Sequence, residues 1–113
     1  MVAADARVAG SPVARLMGLV GRREIGPEQA LGIPDCDWVH TFGVFFALDI
    51  AYCDRNGRVL RVVENLRPNR FGPRASGAYM TWEMRSGGFS GCIHEGQRLI
   101  LQPSSKIESQ TER

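Results

Sequence analysis

Asp49 is the residue whose type and setting most invite chemistry. It is a carboxylate within HTFGVFFALDIAYCD, residues 40–54, the densest apolar stretch of the chain. Burying a carboxylate unpaired is costly, so it must be paired, protonated or turned toward solvent. Paired, it is a structural anchor, with Arg22, Arg61 or Arg67 as available cations. Otherwise it orients a ligand or works as a general base. The anchor is the preferred reading. His40 and Thr41 lie just before Gly43, and Glu83 stands in a second alternating segment. With Arg67 they complete a candidate ligand-binding set: His40, Thr41, Asp49, Arg67 and Glu83. A small enzyme would need His40, Asp49 and Glu83 to converge on one point. No recognisable nucleophile pattern accompanies His40, so a satisfied structural histidine is the plainer reading. No catalytic residue is assigned.

The cysteines number three, Cys36, Cys53 and Cys92, widely spaced and without a CxxC pair. That argues against a disulfide framework and a zinc ribbon, and for a reducing, cytoplasmic setting. Cys36, His40, Cys92 and His94 have the ligand chemistry for zinc, but their spacing matches no standard finger. A thiolate–imidazole couple of Cys36 with His40 is weaker still. No metal or other cofactor is expected. The first ten residues carry Asp5 and Arg7 and no continuous apolar run, so no signal peptide is read there. Nothing approaches the roughly eighteen apolar residues of a membrane span.

Six arginines fall between Arg55 and Arg74, with Phe71 among them. A basic loop with an aromatic can track phosphates or stack a base. The formal net charge is only +2, however, well short of a dedicated nucleic-acid binder. A solvated face is the default reading, and nucleic acid is the lesser alternative.

The elements that must position these groups follow from patterning. At 113 residues the chain suits one domain with one modest core. Ser11-Pro12, apolar residues at 13, 16, 17 and 20, and Gly21 predict a short helix of about ten residues. Residues 7–9 suit an edge strand, and 27–30 a turn leading to a short extended piece. Trp38 to Phe42 reads as extended. From Val44 the chain alternates, with Val44, Phe46, Leu48, Ile50 and Tyr52 on one face and Phe45, Ala47, Asp49, Ala51 and Cys53 on the other. Asp54-Arg55-Asn56-Gly57 is a hairpin signal, which makes 58–66 an antiparallel partner. Strict alternation there groups Val59 with Arg61 and Val63, and Leu60 with Val62, Glu64 and Leu66. Residues 67–77 form a Pro- and Gly-rich loop, 78–84 a half-buried strand, 89–93 one helical turn, and 98–102 a last strand. Trp82 is expected to pack on the Val44, Phe46 and Leu48 face. From Pro103 onward the chain is polar and read as disordered. The fold class is α+β, mainly β: a small antiparallel barrel-like or highly twisted sheet with one N-terminal helix. The domain spans 1–102, and 103–113 is the tail.

The order of these pieces resembles domain-of-unknown-function family 192. The resemblance rests on a GLM-like step with arginine at 16–23, VHTFGV at 39–44, Ala47-Leu48-Asp49, and the turn at 54–59. It continues through Arg67-Pro68, Thr81-Trp82-Glu83 and the closing CIHEGQRL at 92–99. Val44 stands for the family's methionine, Ala47 for its proline and Gln97 for its later aspartate. The resemblance implies a compact β-rich fold with a short helix and carries no activity. The leading functional reading is therefore a small soluble binding or accessory module for a protein or small-molecule partner. The enzyme or ligand-pocket set and nucleic-acid contact are the alternatives.

Overall fold

The computed structural model describes residues 3, 5–10, 19, 21, 25–88 and 93–110. Among the described residues seven strands occur: β1 Asp5–Val8, β2 Gln29–Pro34, β3 Leu48–Cys53, β4 Val59–Leu66, β5 Met80–Arg85, β6 Arg98–Leu101 and β7 Ile107–Gln110. Five of them form one sheet in the order β1-β2-β5-β3-β4, and β6 and β7 form a two-stranded ribbon. The sheet is mixed, because β1 runs parallel to β2 while every other pairing is antiparallel.

Two expectations need correction, and a third lies outside the described residues. The sheet is open rather than barrel-like, since β1 and β4 are its two edges. No helix occurs among the described residues, and the one expected near 11–21 falls almost wholly outside them, as does most of the turn at 89–93. The polar tail contains β7. Ile107 is buried, and its backbone exchanges hydrogen bonds with Ala3 (3.0 and 3.4 Å), so one apolar residue anchors the tail.

β3 explains the layering. All six of its residues are buried, because β5 and β4 flank it and apolar layers cover both faces. Ala51 and Cys53 join Trp82, Met84, Val59, Leu99 and Ile107 in one layer. Leu48, Ile50 and Tyr52 join Val39, Val44, Leu19 and Ile25 in the other. The expected face grouping of β3 holds. That of β4 does not. Register shifts between Leu48 and Ile50, and between Tyr52 and Cys53, insert extra residues on β4. Each bulge flips the alternation, so Val59 and Val62 share the first layer while Val63 and Leu66 share the second.

Trp82 likewise sits opposite its expected side. It pairs with Ala51 and lies in the first layer, away from Val44 and Leu48. Its partner on β2 is Gly32, where an added Cβ would approach the indole six-membered ring to 2.7 Å. Indole and glycine are thus complementary shapes. Gly32→Ala should cost about 1–3 kcal/mol through overpacking. In a Trp82→Phe background, which removes the fused ring that reaches Gly32, the cost should shrink. Denaturant midpoints of the four proteins check this; strictly additive losses would contradict the proposed contact.

Candidate functional site

Residues 38–41 lead through a single bridge at His40 into a turn at Phe42 and Gly43, and a period of two sorts the side chains. Val39 and Thr41 are buried, while Trp38, His40 and Phe42 are exposed. A bridge pairs His40 with Phe71, so this segment runs antiparallel to the loop after β4. Thr41 ties the two together. Its N–H donates to the Arg70 carbonyl (2.8 Å), and its carbonyl accepts from Asn69 N–H (3.1 Å). Its hydroxyl accepts from Arg70 N–H (2.9 Å) and donates to the Arg67 carbonyl. Gly72 N–H donates to the Val39 carbonyl (2.9 Å), and Trp38 Nε1 donates to the Gly72 carbonyl (2.7 Å). Finally Tyr52, in the middle of the core, donates its hydroxyl to the Pro73 carbonyl (2.7 Å). Both loops are therefore secured to the central strand.

This framework carries a row of aromatic contacts at the surface. Trp38 and Phe71 stack at 5.1 Å between centroids, and Phe42 meets Phe71 edge-on at 4.9 Å. His40 lies 6.0 Å from Phe42, and the Arg74 guanidinium lies 4.8 Å from the Trp38 centroid. Such ring pairs contribute about 0.5–1.5 kcal/mol beyond their buried area. Yet Trp38 and Phe42 each remain 44% exposed and Phe71 61%. Phe45, just beyond, is 66% exposed. Arg67 and Arg70 are exposed on the same loop. Neither they nor Arg74 forms an ion pair with a described residue.

Three of the five sequence-selected residues thus meet here: His40 at the surface, Thr41 beneath it and Arg67 on the facing loop. His40 Nδ1 accepts from Phe42 N–H at 3.2 Å, which shapes its own turn. Asp49 and Glu83 lie elsewhere, and apart. Asp49 follows the register of Met84 in the first layer, whereas Glu83 pairs with Ile50 in the second. Their carboxyls leave the sheet on opposite faces, so His40, Asp49 and Glu83 share no cleft. The described bonds of Asp49 are to backbone. Oδ1 accepts from Asn65 N–H (2.8 Å) and Oδ2 from Gly87 N–H (2.9 Å). Among the described residues no three His, Cys, Asp or Glu side chains are placed to hold a metal ion. Cys36 donates to the Trp38 carbonyl (3.3 Å), His94 is exposed, and Cys92 lies outside the described residues. The rings of Trp38, Phe42 and Phe71 were not among the selected residues. Their signal was the alternation in WVHTF, which puts two rings and an imidazole on one side.

Glu83 is 4% exposed, and burial pushes its carboxyl up to about 7. The folded state therefore keeps a proton that the unfolded chain has lost. Glu83 adds no penalty below the ordinary carboxylate range near 4.5; its cost grows as pH rises from there to about 7 and is constant above. The full difference is about 3 kcal/mol. Glu83→Gln should flatten the fall in stability between pH 5 and pH 8, read from denaturant midpoints. An unchanged slope would exclude Glu83 as its source.

The family model for DUF192, "Uncharacterized ACR", matches residues 1–101. No curated protein matches the chain. A crystal structure of a protein of unknown function from Novosphingobium aromaticivorans DSM 12444 superposes with a TM-score of 0.72 at 22% identity, covering 82% of this chain and 71% of that one. One from Sinorhizobium meliloti 1021, called a "putative transcription regulator", gives 0.74 at 17% identity, covering 92% and 80%. At these identities the likeness is one of fold. With the motif order from Leu16 to Leu99 and a family match over nearly the whole chain, the protein belongs to the DUF192 family.

Proposed function

We propose that the chain is a binding module whose working surface is the Trp38, Phe42 and Phe71 cluster with its flanking arginines. Its partner is a protein segment bearing apolar side chains beside carboxylates. The observation that carries this reading is three large rings joined through Phe71, held by core-anchored loops, yet left 44% to 61% exposed. Folding gains little from such exposure, whereas interface centres are enriched in aromatic residues and arginine. Arg67, Arg70 and Arg74 supply cations that pair with no described carboxylate. In this reading His40 lies within the contact surface, Arg67 at its rim, and Thr41 positions the loops. Asp49 serves as a structural anchor, and Glu83 belongs to the core.

The same arginines beside Phe71 favour a second reading, contact with single-stranded nucleic acid. Two observations weaken it. The net charge is only +2, and exposed Asp35 and Asp37 precede Trp38, diluting the positive field.

A displayed random-peptide library, selected on the immobilised parent protein, tests the proposal. Enriched peptides should combine Asp or Glu with aromatic or aliphatic residues. Phe71→Ala should weaken them at least tenfold, about 1.4 kcal/mol, while the loss of its two ring contacts lowers the melting midpoint by only a few degrees and leaves the protein folded at the assay temperature. Equal binding to parent and variant would overturn the assignment. Binding of an oligothymidylate that strengthens steeply as salt falls would instead favour nucleic acid.

A further inference from the structure

A second concave feature lies away from the aromatic surface, where the β3–β4 turn meets β6. It is a cleft of about 270 Å³, with Met80, Trp82 and Leu101 among its apolar walls and Arg55, Arg98 and Tyr79 among its polar ones. The volume falls just below the range of drug-sized ligand sites, which sets an upper bound of one or two rings.

The walls are fixed by backbone. Leu99 N–H donates to the Gly57 carbonyl (2.8 Å), Val59 N–H to the Gln97 carbonyl (2.7 Å), and Tyr79 N–H to the Cys53 carbonyl (2.7 Å). Gly57 has φ +83°, and a Cβ there would come within 2.5 Å of the Leu99 carbonyl oxygen. Only glycine lets the turn approach β6 this closely.

The charges around the cleft are unequal. The Arg55 guanidinium lies 4.4 Å from the Tyr79 ring centroid, and Arg98 Nε donates to the Asn56 carbonyl (2.9 Å). Neither forms an ion pair with a described residue. The one carboxylate on the cleft, Asp54, accepts from the amides of Asn56 (2.8 Å) and Arg58 (3.0 Å) through Oδ1. It is engaged in shaping the turn. Two guanidiniums against one carboxylate leave a single net positive charge beside an apolar floor.

We infer that this cleft binds a small apolar molecule bearing one carboxylate. The hydrocarbon part rests on Met80, Trp82 and Leu101, and the carboxylate meets Arg55 and Arg98, whose fork geometry suits it. This site is independent of the aromatic surface, and either can fail without the other.

The test uses 2-naphthoate as the anionic probe and 2-naphthamide as its neutral counterpart, followed by amide and indole NMR shifts of the full chain. Naphthoate should move the Trp82 indole and the Tyr79 and Leu99 amides saturably, leaving the Trp38 indole unmoved. The amide should bind at least tenfold more weakly. Arg98→Gln and Leu101→Glu, one removing a cation and one adding an anion at an exposed position, should each weaken naphthoate about tenfold. Shifts centred on Trp38, equal binding of the two probes, or no shift at millimolar naphthoate would each overturn the proposal.

Discussion

The Asp49 carboxylate is the constraint on which much of this molecule depends. It sits in a strand buried on both faces, where a charge must be satisfied by partners that desolvation does not remove. Backbone amides from two other elements answer part of that demand. One belongs to Asn65, whose left-handed φ of +57° accompanies the bulge in β4. The other belongs to Gly87, at φ +90° in the turn after β5. One side chain thereby sets how β4 ends and how β5 turns back. Two positive-φ positions, otherwise unfavourable or reserved for glycine, are offset by charge-assisted hydrogen bonds.

The consequence propagates to the surface. Because the bulge at Asn65 redirects β4, Leu66 packs half-buried against Leu48 and Ile50 while the following loop emerges toward residues 38–42. Thr41 and Tyr52 then hold that loop from beneath. Rigid support under an exposed aromatic cluster lowers the ordering cost of any contact it makes. Buried polar groups here act on the surface through backbone geometry rather than by touching a ligand.

The opposite layer treats its carboxyl differently. Glu83 lies in the same layer as Tyr52, whose phenol burial pushes well above its ordinary range. Desolvation raises both acidic groups, so each resists ionisation in that apolar layer. Asp49 and Glu83, superficially alike in sequence, thus differ: one accepts backbone amides, and the other is pushed by burial toward its protonated form.

The sequence by itself determined the central hairpin, the face grouping of β3, the alternating burial at 38–42, and the family. Period-two alternation and an Asn-Gly turn are local signals, and local sterics enforce them wherever the chain goes. Tertiary structure alone decided the rest. The bulges in β4 insert residues without any mark in the alternation, so Val59 and Leu66 changed sides. β7 hangs on one buried residue, Ile107, whose partner Ala3 is at the far end of the chain. Whether a sheet closes depends on which edges meet, and strand pairing over such separations leaves no periodic trace. The same holds for the site: Thr41 was recognisable as a residue of interest, but its bonds to Arg67 and Arg70 link segments that only folding brings together. The pairing of His40 with Phe71, and hence the aromatic surface itself, arises from a contact between loops that no local rule encodes.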